Sequence, residues 1–578
     1  MNTPETTEPI PRKPLRLWPG VVAALLLIVV RFGLPLLLPQ AKIFAVLGGL
    51  ALALAILVWW IFFSRAPWPE RVMALVLMIA GVFATSRVVH ESISNGMMGL
   101  MLPIYASPIL TLALVAWAAF SRNFAPLPRQ VALVGMLLIA VGFWTLLRTD
   151  GITGEGGAQL QWRWTQTAEE RLLAQSRDEP MPRPSAPPKT TSDVAWPGFR
   201  GPDRDGVVRG VRIESDWAKS PPVELWRRAI GPGWSSFAVQ GDLFYTQEQR
   251  GDEEVVACHK VSTGEPVWRH ADPVRFWESN GGAGPRGTPT LSNGRVYTLG
   301  ATGVLNVLEA ADGKVIWSRN ISTDSGVKVP GWGFSGSPLV INDFVIVPAS
   351  GKLIAYDIAT GKERWVGPAR GGSYSSPHRI TVEGVPQVLM LSGKGLVSVA
   401  PADGAVLWDH EWSGVPIVQP ALAPNGDILI STGGGAGGLG VRRLAVKHGT
   451  GGWEVEERWT SKGLKPYYND MVIHKDHAFG FDGSILACIE LTEGKRKWKD
   501  GRFGHGQLML VADQDLLLVL SEQGELALVS ANVEEFKELG RIPAIRSKTW
   551  NHPALVGDTV LVRNGEEMAA FRLSTARR

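Results

Sequence analysis

One short pattern constrains this chain more than anything else in it: an apolar strand, a polar turn ending in Gly, and a Trp four residues after that Gly. LIAYDIATGKERW, Leu353 to Trp365, is its clearest copy. The same pairing recurs as Gly264 with Trp268, Gly313 with Trp317, Gly404 with Trp408 and Gly494 with Trp498. Between copies, stretches such as TPTLSNGRVYTLG and SPLVINDFVIVPA alternate apolar and polar residues around Asn-Gly or Asn-Asp turns, which is the pattern of β-hairpins. Each unit then holds about four short strands at a period of roughly 40 to 50 residues, the signature of β-propeller blades. A single small sheet cannot bury both faces. Stacked radially, each sheet covers the next, and the indole at the strand end fills the gap between them. Trp226, in PPVELWRRAI, matches the repeat Trp but has no strands of its own blade before it, whereas HPALVGDTVLVRNGEEMAAFRLS at the other end supplies strands without a Trp. The ring is therefore expected to close with a blade built from both ends, giving eight blades. Two copies are degenerate: the stretch around Gly433 to Trp459 is lengthened and Gly-rich, and SANVEEFKELG has lost its Trp.

Upstream of the repeats the character changes. Five apolar runs, Leu17 to Leu38, Ile43 to Phe63, Val72 to Val89, Leu100 to Phe120 and Val131 to Leu147, each approach or exceed the length that crosses a bilayer. A cleaved signal peptide would be one such run, so five indicate a membrane domain. Arg12, Lys13, Arg16, Arg65, Arg71, Arg122 and Arg129 flank one side, whereas the other offers chiefly Lys42 and Arg87. By the positive-inside rule the N-terminus is cytoplasmic and everything after Arg148 is outside. His90 and Glu91, in SRVVHES near the end of the third run, read as groups at the outer interface; the alternative is a contact to a membrane quinone, with the pair relaying its protons.

The expected organisation is a cytoplasmic tail over residues 1–16, a five-helix membrane domain over 17–148, a linker over 149–195 and an eight-bladed all-β propeller over 196–578. In the linker, TAEERLLAQ from Thr167 reads as a short capped helix, QWRW (Gln161 to Trp164) as an interfacial anchor, and Pro180 to Pro188 as a stiff spacer. AWPGFRGPDRDGV, Ala195 to Val207, is expected to cap one face of the ring. A net charge of +4 over 578 residues does not argue for nucleic acid. Cys258 and Cys488 each sit six residues before a repeat Gly, in blades that are not neighbours, and so read as small buried strand residues rather than a disulfide.

These repeats resemble the quinoprotein (PQQ-type) repeat, shared by PQQ-dependent dehydrogenases and by the propeller lipoprotein of the outer-membrane β-barrel assembly machine. The five-span prefix followed by a propeller is also similar in layout to membrane-bound PQQ glucose dehydrogenase. The resemblance covers residues 196–578. It implies a bacterial inner-membrane protein, multi-pass, with the propeller in the periplasm, and it leaves enzyme and scaffold both open.

The inner strands of a propeller converge on one axial funnel. Before them runs a small-polar-Pro pattern: Thr288-Pro289, Ser337-Pro338, Ser376-Pro377, Gln419-Pro420 and His552-Pro553, with Ser236 and Asn469 equivalent where the Pro is missing. Slightly upstream lie Trp234, Arg286, Trp332, Tyr374, Tyr468, His505 and Trp550. In a PQQ enzyme with calcium, Asn469, Asp470 and Asn551 would supply oxygen ligands, Trp332 or Trp550 an aromatic floor, Arg286 a cation over the quinone carbonyls and Asp470 the base. Counting against this are the missing adjacent Cys pair and a ring close to minimal size. In a binding scaffold the funnel hydroxyls merely satisfy strand-end backbone groups, the loops or blade edges hold a protein, peptide or small ligand, and the helices meet only lipid.

Overall fold

The computed structural model describes residues 15–38, 41–176, 196–434 and 437–575. The N-terminal tail up to residue 14 and the Pro-rich spacer lie outside the described residues. The chain divides into two compact units, residues 1–165 with 278–281, and residues 166–277 with 282–578.

Among the described residues of the first unit, 5 helices are long and apolar enough to cross a membrane: Trp18–Leu37, Ile43–Phe63, Trp68–Ser86, Met101–Asn123 and Pro126–Leu146. Several of their polar groups are paired inside the bundle. The Trp117 indole donates to the Arg129 carbonyl (2.8 Å) and meets the Trp60 ring edge-on at 5.6 Å. Arg129, expected among the flanking charges, is instead buried, with its guanidinium 3.2 Å from Glu70 and over the Trp117 ring. His90 caps the short helix Glu91–Ser94, its Nδ1 accepting from Ser92 N (3.2 Å). A two-stranded antiparallel ladder, Leu147–Ile152 with Ala158–Trp162, completes this unit. In the second unit Ala168–Ser176 is the expected capped helix. Thr167 Oγ1 accepts from Glu170 N (3.0 Å), and Glu170 Oε2 accepts from Thr167 N (2.7 Å), a reciprocal capping box.

The propeller has eight sheets, each ordered from inner to outer strand. Blades 1 to 6 take four consecutive antiparallel strands each, starting at Ala238, Thr290, Leu339, His378, Ala421 and Val472. Blade 7 starts at Gln507 and gains a fifth strand, Val207–Val208, running parallel to its inner strand. Blade 8 joins Ala554–Val556, Thr559–Arg563 and Glu567–Arg572 to Val223–Ala229 from the other end of the domain, so the ring closes as the unpaired Trp226 requires. Arg563 reinforces the seam from blade 8. Fully buried, it donates to Thr246 Oγ1 (2.6 Å) and the Gln247 carbonyl (2.8 Å) of blade 1.

The repeat Trp residues, Trp408 excepted, clasp the following blade. Trp268 of blade 1 donates its indole N–H to the Ala310 carbonyl (3.0 Å) of blade 2 and covers Gly313; Trp317 reaches the Ile358 carbonyl (3.1 Å) and Gly361, and Trp365 the Pro401 carbonyl (3.0 Å) and Gly404. Trp226 closes the circle on the Val261 carbonyl (2.6 Å) and Gly264 of blade 1. Gly is required beneath the indole. At Gly313 φ is +73°, and a Cβ would lie 2.4 Å from the Trp268 ring. Cys258 and Cys488 are buried free thiols in blades 1 and 6.

Gly313→Ala is expected to cost on the order of 2 to 4 kcal/mol, from αL strain plus the clash. In a Trp268→Ala background only the strain remains, about 1 to 2 kcal/mol. Urea unfolding of the two single variants and the double variant measures the difference, and equal costs in both backgrounds would refute the clasp.

Candidate functional site

The funnel is organised in tiers, because antiparallel four-stranded blades start every inner strand at the same end of the ring. Two residues before each inner strand of blades 1 to 4 lies a small polar side chain that serves the preceding blade. Ser236 N donates to Thr288 Oγ1 (3.0 Å), Thr288 N to Ser337 Oγ (2.9 Å), and Ser337 N to Ser376 Oγ (2.9 Å). The run continues from Ser376 N to Gln419 Oε1 (3.0 Å) and from Gln419 N to Asp470 Oδ1 (2.6 Å). His552 then bridges the ends: its Nε2 lies 3.1 Å from Asp470 Oδ2, and its carbonyl accepts from Ser236 Oγ (2.6 Å). This belt holds blade to blade. The hydroxyls of Ser337 and Ser376 therefore satisfy neighbouring backbone N–H groups instead of facing a ligand. In blade 6 the belt residue is Asp470, not Asn469, one position on from the expected register.

One end of the funnel is filled by the segment Trp196 to Val208. It is tied to blade 1 by a bridge between Trp196 and Val239 and to blade 2 by Leu291 N donating to the Pro197 carbonyl (2.7 Å). Arg204 donates to the Ser337 and Pro338 carbonyls (3.1 and 2.9 Å) of blade 3. Arg200 donates to the Met471 carbonyl (2.6 Å) of blade 6, and its Nη1 lies 3.7 Å from Asp470 Oδ1. Both guanidiniums are buried. Burial, and then the charge of Arg200, pull the Arg204 pKa down to about 10. A cavity of about 760 Å³ remains around this plug, lined in part by Asp203, Arg209, Arg379 and Lys475. Arg200 and Arg204 are the arginines of the segment expected to cap one face of the ring; the groups they pair with are not legible in the sequence.

Asp470 is consumed by these contacts. Burial opposes its ionisation, but Arg200, His552 and the Gln419 N–H outweigh it and hold its pKa below the ordinary carboxylate value. Burial lowers the His552 pKa below the ordinary imidazole value despite the Asp470 contact, and Arg200 adds to the effect. Asn551 donates to the Gly233 and Ser235 carbonyls (3.3 and 2.7 Å), and Asn469 Oδ1 accepts from Tyr467 N (3.2 Å). Arg286 donates to the carbonyls of Gly282, Ala283 and Gly284 in its own loop. Calcium needs several free oxygen ligands. A carboxylate beside a buried guanidinium, with its oxygens engaged by an imidazole and a backbone N–H, does not fit that ion. Nor does any group of three or more His, Cys, Asp or Glu that could hold a metal occur among the described residues. Asp470, Asn469 and Asn551 thus read as structure, and Arg286 is turned toward its own loop instead of a quinone.

The opposite end is different. Two residues upstream of the belt, every blade presents a half-buried side chain: Trp234, Arg286, Ser335, Tyr374, Ile417, Tyr468, His505 and Trp550. Trp550 packs 4.8 Å from Trp234 and 4.9 Å from Tyr468, which stacks on His505 at 5.1 Å; Trp332 lies 4.8 Å from Tyr374. The Lys548 ammonium sits 4.4 Å from the Trp550 ring centre and 5.4 Å from that of Trp234. Glu522 fixes the group, accepting from Trp550 Nε1 (2.8 Å) and His505 N (3.1 Å). Gln507 spans blades 6 and 8 by donating to the Tyr468 and Trp550 carbonyls. The structure thus brings Trp234, Arg286, Tyr374 and Trp550 into one tier, sets Trp332 beside it, and puts Ser337, Ser376, His552 and Asp470 behind it. Lys548 and Glu522 escaped notice because neither holds a repeat position.

Residues 252–500 match the family model described as outer membrane protein assembly factor BamB. Over these residues the propeller is similar in sequence to that family. Among curated relatives, BamB of Yersinia pestis is 22% identical over 325 residues, covering 54% of this chain and 70% of that one. BamB of Burkholderia pseudomallei is 25% identical over 320 residues, covering 50% and 74%. Among solved structures, quinohemoprotein alcohol dehydrogenase from Comamonas testosteroni superposes with a TM-score of 0.48 at 14% identity, over 66% of this chain and 81% of its own.

Two deeply buried histidines make the propeller lose stability in acid. Burial drops the His378 pKa from 6.5 to about 3, with Arg204 and Arg200 adding to the effect, and drops that of His259 to about 4. Both are neutral when folded, so their contribution is complete above pH 6.5 and is lost as pH falls from there toward the folded values, at up to about 1.4 kcal/mol per unit per histidine. Urea midpoints against pH should fall below pH 6.5, and less steeply in His378→Gln. Asp470→Asn should cost about 3 to 5 kcal/mol at neutral pH, because it strands Arg200 in the interior.

Proposed function

We propose that this protein is a membrane-tethered binding propeller, anchored by its five apolar helices, that engages a partner protein at the aromatic end of its funnel. One observation carries the reading. The polar groups that a calcium-quinone enzyme would need free are bound to other parts of the chain, whereas the aromatic tier at the other end remains half-exposed. The relatives' name, an outer membrane protein assembly factor, supports a role in handling other proteins. The excess of Arg and Lys on one side of the helices supports a cytoplasmic N-terminus and an extracytoplasmic propeller in the inner membrane of a bacterium. Lipid is then the neighbour of the helices. His90, already engaged in capping, is part of the structure of that unit, with Glu91 beside it, and no quinone is invoked.

Two measurements on the full chain in nanodiscs test this. Calorimetric titration of PQQ with calcium should give no saturable heat; micromolar binding abolished by chelation would restore the dehydrogenase reading. A photocrosslinking residue at Lys328 or Lys462, at the aromatic end, should yield a discrete protein adduct in native membranes, while one at Asp343, at the plugged end, should not. Adducts from neither end would sink the scaffold reading.

A further inference from the structure

The two ends of the ring carry opposite charge. Strand order fixes which loops share an end: the links from each outer strand to the next inner strand lie with the aromatic tier, and the turns between first and second strands lie at the plugged end. The links carry Arg275 and Arg370, ion-paired to Glu169 and Asp409, and Lys328, Lys462, Lys465, Arg546 and Lys548, against Glu278, Asp324 and the belt residue Asp470. The turns between second and third strands share this end and add Lys352 and Lys394 against Asp252, Glu522 and Glu566, which leaves the end net positive. The opposite turns carry Asp242, Asp343, Glu383, Asp476, Asp513 and Asp558, with Lys475 as their cation. Lys328, Lys462 and Arg546 are exposed. A nearly neutral chain thus holds a strongly polarised ring, and such a field concentrates and orients a charged partner before contact.

Building on the binding reading, we propose that the aromatic end receives an acidic, aromatic-bearing peptide segment of a partner protein. Charge complementarity supplies the attraction: the exposed cations lie on links at the same end as the tier, and Lys548 sits over its indoles. The tier supplies what a charged rim alone does not. Trp234, Trp550, Tyr468 and His505 form a continuous group of rings 4.8 to 5.1 Å apart, packed on a fixed belt, against which an aromatic side chain can stack. A flat headgroup surface would meet the rim but make no use of these recessed rings, and for that reason a peptide is favoured over lipid.

The probe is a fluorescein-labelled synthetic peptide rich in Asp and Glu with a single Phe, titrated into the full chain in zwitterionic nanodiscs. Anisotropy and intrinsic Trp quenching are read together. Binding should quench the Trp emission, weaken steeply with added salt, and fall about tenfold in Lys328→Glu/Lys462→Glu, two exposed changes that leave the unfolding midpoint in place. Asp343→Lys/Asp476→Lys, at the other end, should leave binding intact. Equal loss from both pairs, no preference over a Lys-rich peptide, or binding without quenching would overturn the proposal. So would displacement of the peptide by phosphatidylglycerol vesicles that bind with the same salt dependence, since the surface would then be one for anionic lipid. Crosslinked protein adducts at Lys328 or Lys462 without acidic-peptide binding would reject this ligand chemistry and leave the scaffold reading standing.

Discussion

The indole clasp between neighbouring blades is the contact on which the rest of the domain depends. It is directional: a Trp at the outer strand of one blade covers a Gly in the turn of the next and hydrogen-bonds the carbonyl three residues before that Gly. Such a head-to-tail contact leaves an unsatisfied donor and acceptor unless the ring closes. Closure comes from Trp226, carried in from the far end of the domain onto Gly264. The same logic explains the irregular copies. Blade 8 takes its third and fourth strands from opposite ends, so it has no turn for a Trp of blade 7 to clasp; SANVEEFKELG has lost that Trp, and Trp217 packs against Gly540 instead. Blade 5 extends its outer hairpin over Gly437–Gly449 and Gly452–Ser461, and Trp408 of blade 4 turns back to Gln387 Oε1 (2.8 Å) within its own sheet.

What was legible in the sequence was what repeats. Periodic Gly and Trp expose the blade count and the closure, because each copy must solve the same packing problem and so uses the same residues. The Thr167 and Glu170 capping box is legible for a related reason, being a local solution within one turn. The sequence does not separate Asn469 from Asp470 because blade 6 lacks the Pro that marks the register in five other blades, and a one-residue slip exchanges a belt position for a buried strand-end one. The pairing of Arg200 is illegible for another reason: its partner Asp470 is 270 positions away, and nothing periodic links them. Read alone, Asp470 in an axial funnel resembles a catalytic carboxylate. Beside a guanidinium delivered by the plug, it is one half of a structural pair.

The belt and the plug together decide where function can reside. Small polar residues at the starts of the inner strands look like a ligand-binding ring only until the neighbouring backbone is counted. Each inner-strand start brings an N–H with no partner in its own sheet, and the adjacent blade's side chain answers it. At the far end, Arg200 and Arg204 place two charges out of water, which is tolerable only because carbonyls of blades 3 and 6 and the carboxylate of Asp470 surround them. Removing the plug to admit a ligand there would leave those groups bare. Access from the other end disturbs none of them.

That end is rigid in a way that suits recognition. Most of its tier residues lie two positions from the belt, on links as short as Phe503 to Gly506, so their backbones are held by the belt and not by mobile loops. Trp550 and His505 are further fixed through Glu522. Aromatic rings held this way have little rotamer freedom left to lose on contact, and interfaces gain affinity chiefly by lowering that ordering cost. On the reading proposed above, fixed rings with cations on the neighbouring links suit a segment of chain that supplies its own extension.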